Sequence, residues 1–286
     1  MPLPNDQCLE LFGSSQIDLI RMADAHTLNV QAWLSSRSPM AKTFQGMGVR
    51  ASSTGLKLPL LNLALGANFP DKTASSEIEA EVKQVIDFFA ERNVPWYWWM
   101  NAEPRPVNIA MVLEKFGCVY DAPPLPAMIA PTKQDASSFP QIDKSIQVWR
   151  AASIKDLQMA STIRRRAFQF TEGEALTYFE DMAQDWLSNE SSARLFLAGP
   201  KKGEAVSIGA IIEAKGIPGI YVMATLPEFH RQGYGKAILS RLLSEAAQCE
   251  GKIVALTASS AGAGLYAQFG FRHLFDFNFY SIPDEV

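Results

Sequence analysis

The sequence predicts a mixed α/β (α+β) fold built twice in tandem, and three observations carry that expectation. Short β-rich runs alternate with amphipathic helix-length stretches in an order that suits a mixed sheet, strands first antiparallel and then crossing over by helices. The 286 residues suffice for two ordinary domains, and "PTKQDASSFPQIDK", residues 131–144, lacks either periodicity and reads as a linker near the midpoint. The halves also resemble one another. Laying Phe116-Gly117-Cys118 on Phe269-Gly270-Phe271, an offset of 153 residues, aligns helix with helix and strand with strand. The expected organisation is residues 1–130, linker 131–144 and residues 145–286.

In the second half, "IQVWRAA" (146–152) reads as a strand, and "IKDLQMASTIRRRAF" (154–168) as a helix with Leu157, Ala160, Ile163 and Ala167 on one face. "EALTYFEDMAQDWL" (174–187) reads as a second helix. "RLFLAG", "AVSIGAIIEA" and "GIYVMAT" are β-rich runs bounded by Gly, Pro and Lys, as in an antiparallel meander. A helix follows whose Ile238, Leu239, Leu242, Leu243 and Ala246 form an apolar stripe. Then come a strand at 252–257, a short helix in "AGLYAQFG", and a last strand in which Phe275, Phe277 and Phe279 alternate with polar residues.

The first half repeats part of this order: a helix at 77–93, an aromatic strand "VPWYWWM" at 94–100, a helix at 107–117 and an extended segment from Cys118. Alternation sends Trp96, Trp98 and Met100 to one face and Tyr97 and Trp99 to the other, which suits core packing better than an aromatic cage for a cation.

Composition removes several function classes. Apolar residues make up 48% and charged residues 20%, so the chain has the material for a core and is not a disordered segment. With a net charge of −4 and no basic stripe, a nucleic-acid surface has no electrostatic footing. No apolar run approaches the roughly 20 residues of a membrane span, and the first residues lack a leader's basic-then-apolar order; a cytoplasmic location is expected. Cys8, Cys118 and Cys249 are odd in number and widely spaced, against a disulfide framework and against a metal site. Cys249 reads as core, and His26 and His273 stand alone.

The informative stretch is "LPEFHRQGYGKAIL", residues 226–239: two glycines one residue apart, between a Pro-Glu loop and an apolar helix. The first N–H groups of a helix have no partner inside it, and glycines let a ligand approach them. A dinucleotide site would need a third glycine where Ile238 stands, and a nucleoside triphosphate loop a hydroxyl where Ala237 stands.

With the preceding "YVMAT" and the downstream "LTASSAGAGLYAQFGF", this stretch closely resembles the central motif of the Gcn5-related N-acetyltransferase (GNAT) superfamily, [QR]-x-x-G-x-G/A between strand and helix, followed by a helix carrying "LYxxxGF". The resemblance covers residues 146–282. His230 occupies the usual Arg or Gln position, while a shifted frame, Gln232-x-x-Gly235-x-Ala237, also fits.

The resemblance implies two tandem GNAT-like folds, the first degenerate: "FPDKTASSEI" stands where the second half has Gly-Tyr-Gly, and Leu113 falls opposite Tyr266. It implies acetyl-coenzyme A as cosubstrate and an amine, of a small molecule or a protein, as acceptor, with direct transfer between them. The pyrophosphate would lie on the N–H groups of residues 231–236, with His230, Arg231 and Gln232 before the turn, and Gly233, Tyr234, Gly235 and Lys236 opening the helix. Met223, Ala224 and Thr225 would offer backbone groups to the pantetheine, with an oxyanion donor near Ala224 or Thr225. Tyr266 would be the general acid. Glu213, near a strand end, and Glu228, in the loop, are candidate bases. The alternative is a non-catalytic acyl-coenzyme A sensor.

Overall fold

The computed structural model describes residues 2–170 and 177–283. The chain opens with helices absent from the sequence reading, α1 (Asn5–Phe12), closed by Gly13 in the left-handed conformation, and α2 (Gln16–Ser36). Three short strands follow, β1 (Lys42–Gln45), β2 (Arg50–Ser53) and β3 (Asn62–Leu65). Helix α3 (Ser75–Arg92) begins where the Glu77 carboxylate accepts the Ala74 N–H and ends at Asn93 with φ 49°. Strand β4 (Tyr97–Trp99), helix α4 (Ile109–Lys115) and strand β5 (Val119–Pro131) complete this stretch.

Strand β6 (Gln147–Arg150) leads to α5 (Ile154–Ala167), whose first turn is capped by the Ser153 hydroxyl accepting the Asp156 N–H. The helix expected at 174–187 is two short ones, α6 (Tyr178–Asp181) and α7 (Ala183–Leu187), because the chain leaves helical geometry at Met182 with ψ 25°. Residues 174–176 of that expectation lie outside the described residues. The meander is β7 (Ala193–Gly199), β8 (Ser207–Ala214) and β9 (Ile217–Thr225). Then come α8 (Tyr234–Ala246), β10 (Ile253–Thr257), α9 (Ser260–Ala267) and β11 (Arg272–Ser281).

The compact units interleave along the chain. One, here the C-terminal unit, takes Met1–Thr27 and Ala127–Leu274; the other, the N-terminal unit, takes Leu28–Pro126 and Phe275–Val286.

In the C-terminal unit the strand order is β5, β10, β9, β8, β7, β6. β10 lies antiparallel to β5, with Ala255 opposite Ile129, and parallel to β9; the meander is antiparallel throughout. The apolar stripe of α8 buries Ile238, Leu239 and Leu242 against Phe196, Ile211 and Ile220. Helix α5 packs on β8 and β9, and none of its buried side chains belongs to the α8 cluster, so it covers the other face.

In the N-terminal unit β1, β2 and β3 are antiparallel, β4 joins parallel to β3, and the end of β11 lies antiparallel to β4. Trp96, Trp98 and Met100 are buried with α3 and α4, Trp96 stacked on Phe89 at 4.5 Å, while Trp99 meets Phe279 edge-on at 4.7 Å. The aromatic strand is therefore packed as its alternation predicts.

Candidate functional site

The site is built where β9 and β10 stop pairing. Parallel strands bond at Gly219 and Ala255, and β9 continues to Thr225 without a further pair on that edge among the described residues. The result is a wedge at the C-terminal ends of two parallel strands, the usual place for a ligand in such sheets.

The opposite edge of β9 is fixed by β8. Ile208 faces Ala224 and Ala210 faces Tyr221, so residues 222 and 223 oppose Gly209 alone, and Val222 takes a φ of 53°. This bulge re-aims the end of the strand. Beyond it, the Leu226 N–H donates to the Val206 carbonyl at 2.9 Å. Antiparallel bonding alternates, so Ala224 turns its N–H toward β8 and Thr225 turns its N–H toward the wedge. The buried Ser207 hydroxyl holds this end, donating to the Ala224 carbonyl at 3.0 Å and lying 2.8 Å from Thr225 Oγ1. Met223 packs over Gly209, where a Cβ would stand 2.5 Å from its sulfur.

The loop after β9 is held by its own side chains. His230 Nε2–H donates to the Thr225 carbonyl at 2.9 Å, Gln232 Nε2 donates to the Glu228 carbonyl at 2.9 Å, and the Tyr234 ring meets Phe229 edge-on at 5.8 Å. Arg231 and Gly233 both lie in the left-handed region, at φ 59° and 91°, and α8 starts at Tyr234. The glycine with the left-handed backbone is thus Gly233, with His230 three residues before it. Left-handed residues among right-handed ones turn successive N–H groups inward as a nest. Among the described residues no acceptor takes the N–H groups of residues 231–236; the first N–H after them, that of Ala237, bonds back to the Gly233 carbonyl at 3.0 Å. Arg231 and Lys236 add positive charge beside the helix start.

Gly235 faces open space of limited size. A Cβ there would lie 3.6 Å from Leu265 Cδ2 and 3.7 Å from Thr225 Oγ1, ordinary contact distances, and its φ is not positive. The fold itself therefore tolerates a side chain at this position, and an anion lying on the N–H groups is what would require glycine.

Leu265 of helix α9 approaches Gly235, and the next residue, Tyr266, belongs to the buried cluster that α8 packs into. Ser259 caps this helix by accepting the Gly262 N–H, and Gly262 leaves room for the Tyr266 ring, whose Cε2 lies 3.0 Å from a Cβ built there. Tyr266 is 7% exposed, packed edge-on to Phe271, and burial pushes its hydroxyl up to about 12.

The two carboxylates are placed differently. Glu228 lies in the turn before the nest, ion-paired to Arg166 at 2.8 Å; its own backbone N–H and the Arg166 guanidinium hold it below the usual carboxylate range. Glu213 is not brought to the wedge. It pairs with Pro218 at the far end of β8, about 20 Å of strand from Ser207 at ~3.3 Å per residue, and bonds Arg194 at 2.9 Å. Cys249 lies beside that pair and burial raises its thiol to about 11, as for a packed side chain. Ser207, the bulge at Val222 and the Arg166 partner of Glu228 have no sequence signal, because each depends on residues paired across strands or far apart in the chain.

Among the described residues no cluster of three or more His, Cys, Asp or Glu could hold a metal ion, and no helix is long and apolar enough to cross a membrane.

Residues 192–273, from β7 into β11, match the family model described as an acetyltransferase (GNAT) domain. No curated protein sequence matches the chain. Among solved structures it is similar to a GCN5-related N-acetyltransferase from Kribbella flavida, at 16% identity over 91% of this chain and 95% of that one, with a TM-score of 0.66. It is also similar to a tandem GNAT protein from the clavulanic acid biosynthesis pathway, at 13% identity over 100% and 99% of the two chains, with a TM-score of 0.60. A third is a GCN5-related N-acetyltransferase from Sphaerobacter thermophilus, at 12% identity over 84% and 82%, with a TM-score of 0.59. At such identities the likeness carries the fold: two GNAT-like halves in tandem, the second holding the glycine loop.

Proposed function

We propose that this chain is an acetyl-coenzyme A-dependent N-acetyltransferase that passes the acyl group directly to an amine of a small molecule or a protein. The observation that carries the reading is the wedge beyond Gly219 and Ala255 with, at its mouth, the N–H groups of residues 231–236, which bond no acceptor among the described residues. Acetyl-coenzyme A, when bound, supplies the activated acyl group. The rest falls to this chain.

The N–H nest, the positive end of α8 and the Arg231 and Lys236 side chains hold the pyrophosphate, and Gly235 keeps the space above them clear. His230, Gln232 and Tyr234 keep the loop in shape through the contacts described above. The backbone of Met223 and Thr225 faces the pantetheine, and the Thr225 N–H is the donor for the acyl oxygen, a role that suits a rigid amide better than a mobile side chain. Ala224, with its N–H committed to β8, borders the slot.

Tyr266 supplies the proton for the departing thiolate. A hydroxyl held at about 12 is fully protonated near neutrality, the state a general acid must start from. Neither carboxylate suits the base: Glu228 is paired and weakly basic, and Glu213 is remote. The acceptor amine loses its proton to solvent.

The test is a calorimetric titration with acetyl-coenzyme A followed by thiol-release assays over a panel of amines, with wild type and Tyr266→Phe. Binding, thiol release with some amines, and a loss of about 100-fold in turnover for Tyr266→Phe are expected. Absence of binding overturns the reading, and binding without release for any amine favours an acyl-coenzyme A sensor.

A further inference from the structure

A cavity of about 1010 Å³ lies in the N-terminal unit, and every residue that lines it belongs to that unit. Its size is that of a small-molecule pocket. It sits where α3 has ended, with Asn93 at φ 49°, and where β4 has yet to pair, since Pro95 has no N–H and the ladder to β3 reaches only as far as Tyr97. Ile86, Phe89, Val94, Trp96 and Ile282 give it apolar walls. Trp96 stays stacked on Phe89, so these rings form a packed wall and not a cage. Two charged groups join them, Lys57 and Asp121.

The two charges are held differently. The Lys57 ammonium donates to the Asn93 carbonyl, at the negative end of the α3 dipole. Asp121 is half-buried and meets hydroxyls: Ser281 donates to its Oδ2 at 2.9 Å, and the Tyr97 phenol bonds it as well, burial and this carboxylate both raising the phenol's pKa and keeping it the donor. Among the described residues no Lys, Arg or His pairs with Asp121. Met1, residues 171–176 and residues 284–286, which lie outside the described residues, include no basic side chain. Neutral hydroxyls satisfy some of the carboxylate's lone pairs and leave its charge uncompensated. We propose that this cavity binds an organic ammonium ion on an apolar body, an alkylamine or arylalkylamine, with Asp121 as its counter-ion. The ammonium supplies the charge-assisted bond that the two hydroxyls do not, and the walls take the hydrocarbon. An anion would be repelled by Asp121, and a neutral ligand would forgo the ion pair. The site rests on no part of the acetyltransferase reading.

The test uses the full chain without coenzyme A and two matched pairs, phenethylamine with 2-phenylethanol and hexylamine with 1-hexanol, with phenylacetate as the anion. Affinity is read by calorimetry at neutral pH, and the place of binding by amide hydrogen exchange. Wild type should bind at least one amine about tenfold more tightly than its alcohol, the contribution of one charge-assisted bond, and should not bind phenylacetate. The bound amine should slow exchange at residues 93–97 and 281–282. Asp121→Asn should bring the amine down to the affinity of its alcohol, whereas Ser281→Ala, which leaves the carboxylate in place, should retain most of the preference. The proposal is overturned if no amine binds, if amine and alcohol bind alike, if Asp121→Asn keeps the preference, or if protection appears only away from the cavity, as it would for an amine held at an acyl-acceptor site. Should Asp121→Asn fail to fold, the wild-type exchange map and the amine-to-alcohol ratio decide it, and failure of either overturns the proposal. Binding of acetyl-coenzyme A, present or absent, bears on the acetyltransferase reading alone.

Discussion

Gly219 pairs with Ala255, and past that pair β9 and β10 separate. The equivalent strands of the N-terminal unit do not. β3 and β4 pair at Leu63 with Tyr97, Ala64 with Trp98 and Leu65 with Trp99, and the Gly66 N–H continues to the Trp99 carbonyl at 2.9 Å. The Ala67 N–H then bonds Asn101 Oδ1 at 2.8 Å, and the Phe69 N–H the Arg105 carbonyl at 3.0 Å. One wedge is open and the other is laced shut. On adding acetyl-coenzyme A, amide hydrogen exchange should slow at residues 222–236 and stay unchanged at 63–69. Equal protection at both segments would show that the N-terminal unit is also loaded.

Gly235 separates the needs of the fold from those of the ligand. Because a Cβ there meets only Leu265 and Thr225 at ordinary distances, Gly235→Ala should leave the melting temperature unchanged or raise it, alanine being favoured over glycine in a helix by about 1 kcal/mol. Gly235→Val should keep the fold and weaken coenzyme binding at least 100-fold, about 2.7 kcal/mol, by filling the space above the N–H groups. Calorimetry beside thermal unfolding checks both. A valine variant that binds like wild type would move the phosphates elsewhere.

His26 gives the C-terminal unit a defined acid sensitivity. The ring is fully buried, its Nδ1–H donates to the Ala214 carbonyl at 3.1 Å, and Nε2 would lie 2.1 Å from a Cβ on Gly219. Burial pushes its pKa down to about 4 against the opposing effect of the Ala214 bond. Between pH 6.5 and 4 the unfolded chain takes up a proton that the folded chain refuses, so this stability is complete above pH 6.5 and falls as pH drops through that window. From pH 7.5 to pH 5 the loss is roughly 2 kcal/mol. Urea unfolding of wild type and His26→Gln at the two pH values should show a smaller difference in the variant; an identical difference would exclude His26 as the source.

The legible parts of the chain were those whose pattern depends on one face. The α8 stripe from Ile238 to Ala246 and the alternation of Trp96, Trp98 and Met100 face single cores, and each was readable from its period alone. Helix α2 was not, because residues up to Thr27 belong to one unit and those from Leu28 to the other, which spreads its buried positions around the helix and includes His26 and Thr27 among them. Of the site, the loop from His230 to Lys236 was visible because glycine and helix start are local signals. The bulge at Val222, the pin from Ser207 and the bridge from Arg166 to Glu228 were invisible, since valine marks no turn and the bridged residues are 62 apart.

The same interleaving predicts how the chain divides. All five residues of β10, Ile253–Thr257, pair with Pro131 to Ala127 of β5, and His26 of α2 packs on Gly219 of β9. A fragment of residues 145–286 lacks both elements. It would leave β10 as a bare, apolar edge, the kind of edge that recruits other strands, and would uncover the face at Gly219 and Tyr221. Expressed alone, that fragment should be insoluble or should melt without a cooperative transition, whereas a fragment of residues 127–286 mixed with one of residues 1–126 should recover cooperative unfolding and coenzyme binding. Calorimetry and circular dichroism on the two preparations decide it: a 145–286 fragment that unfolds cooperatively and binds acetyl-coenzyme A as the full chain does would mean that the five-residue ladder to β5 is dispensable.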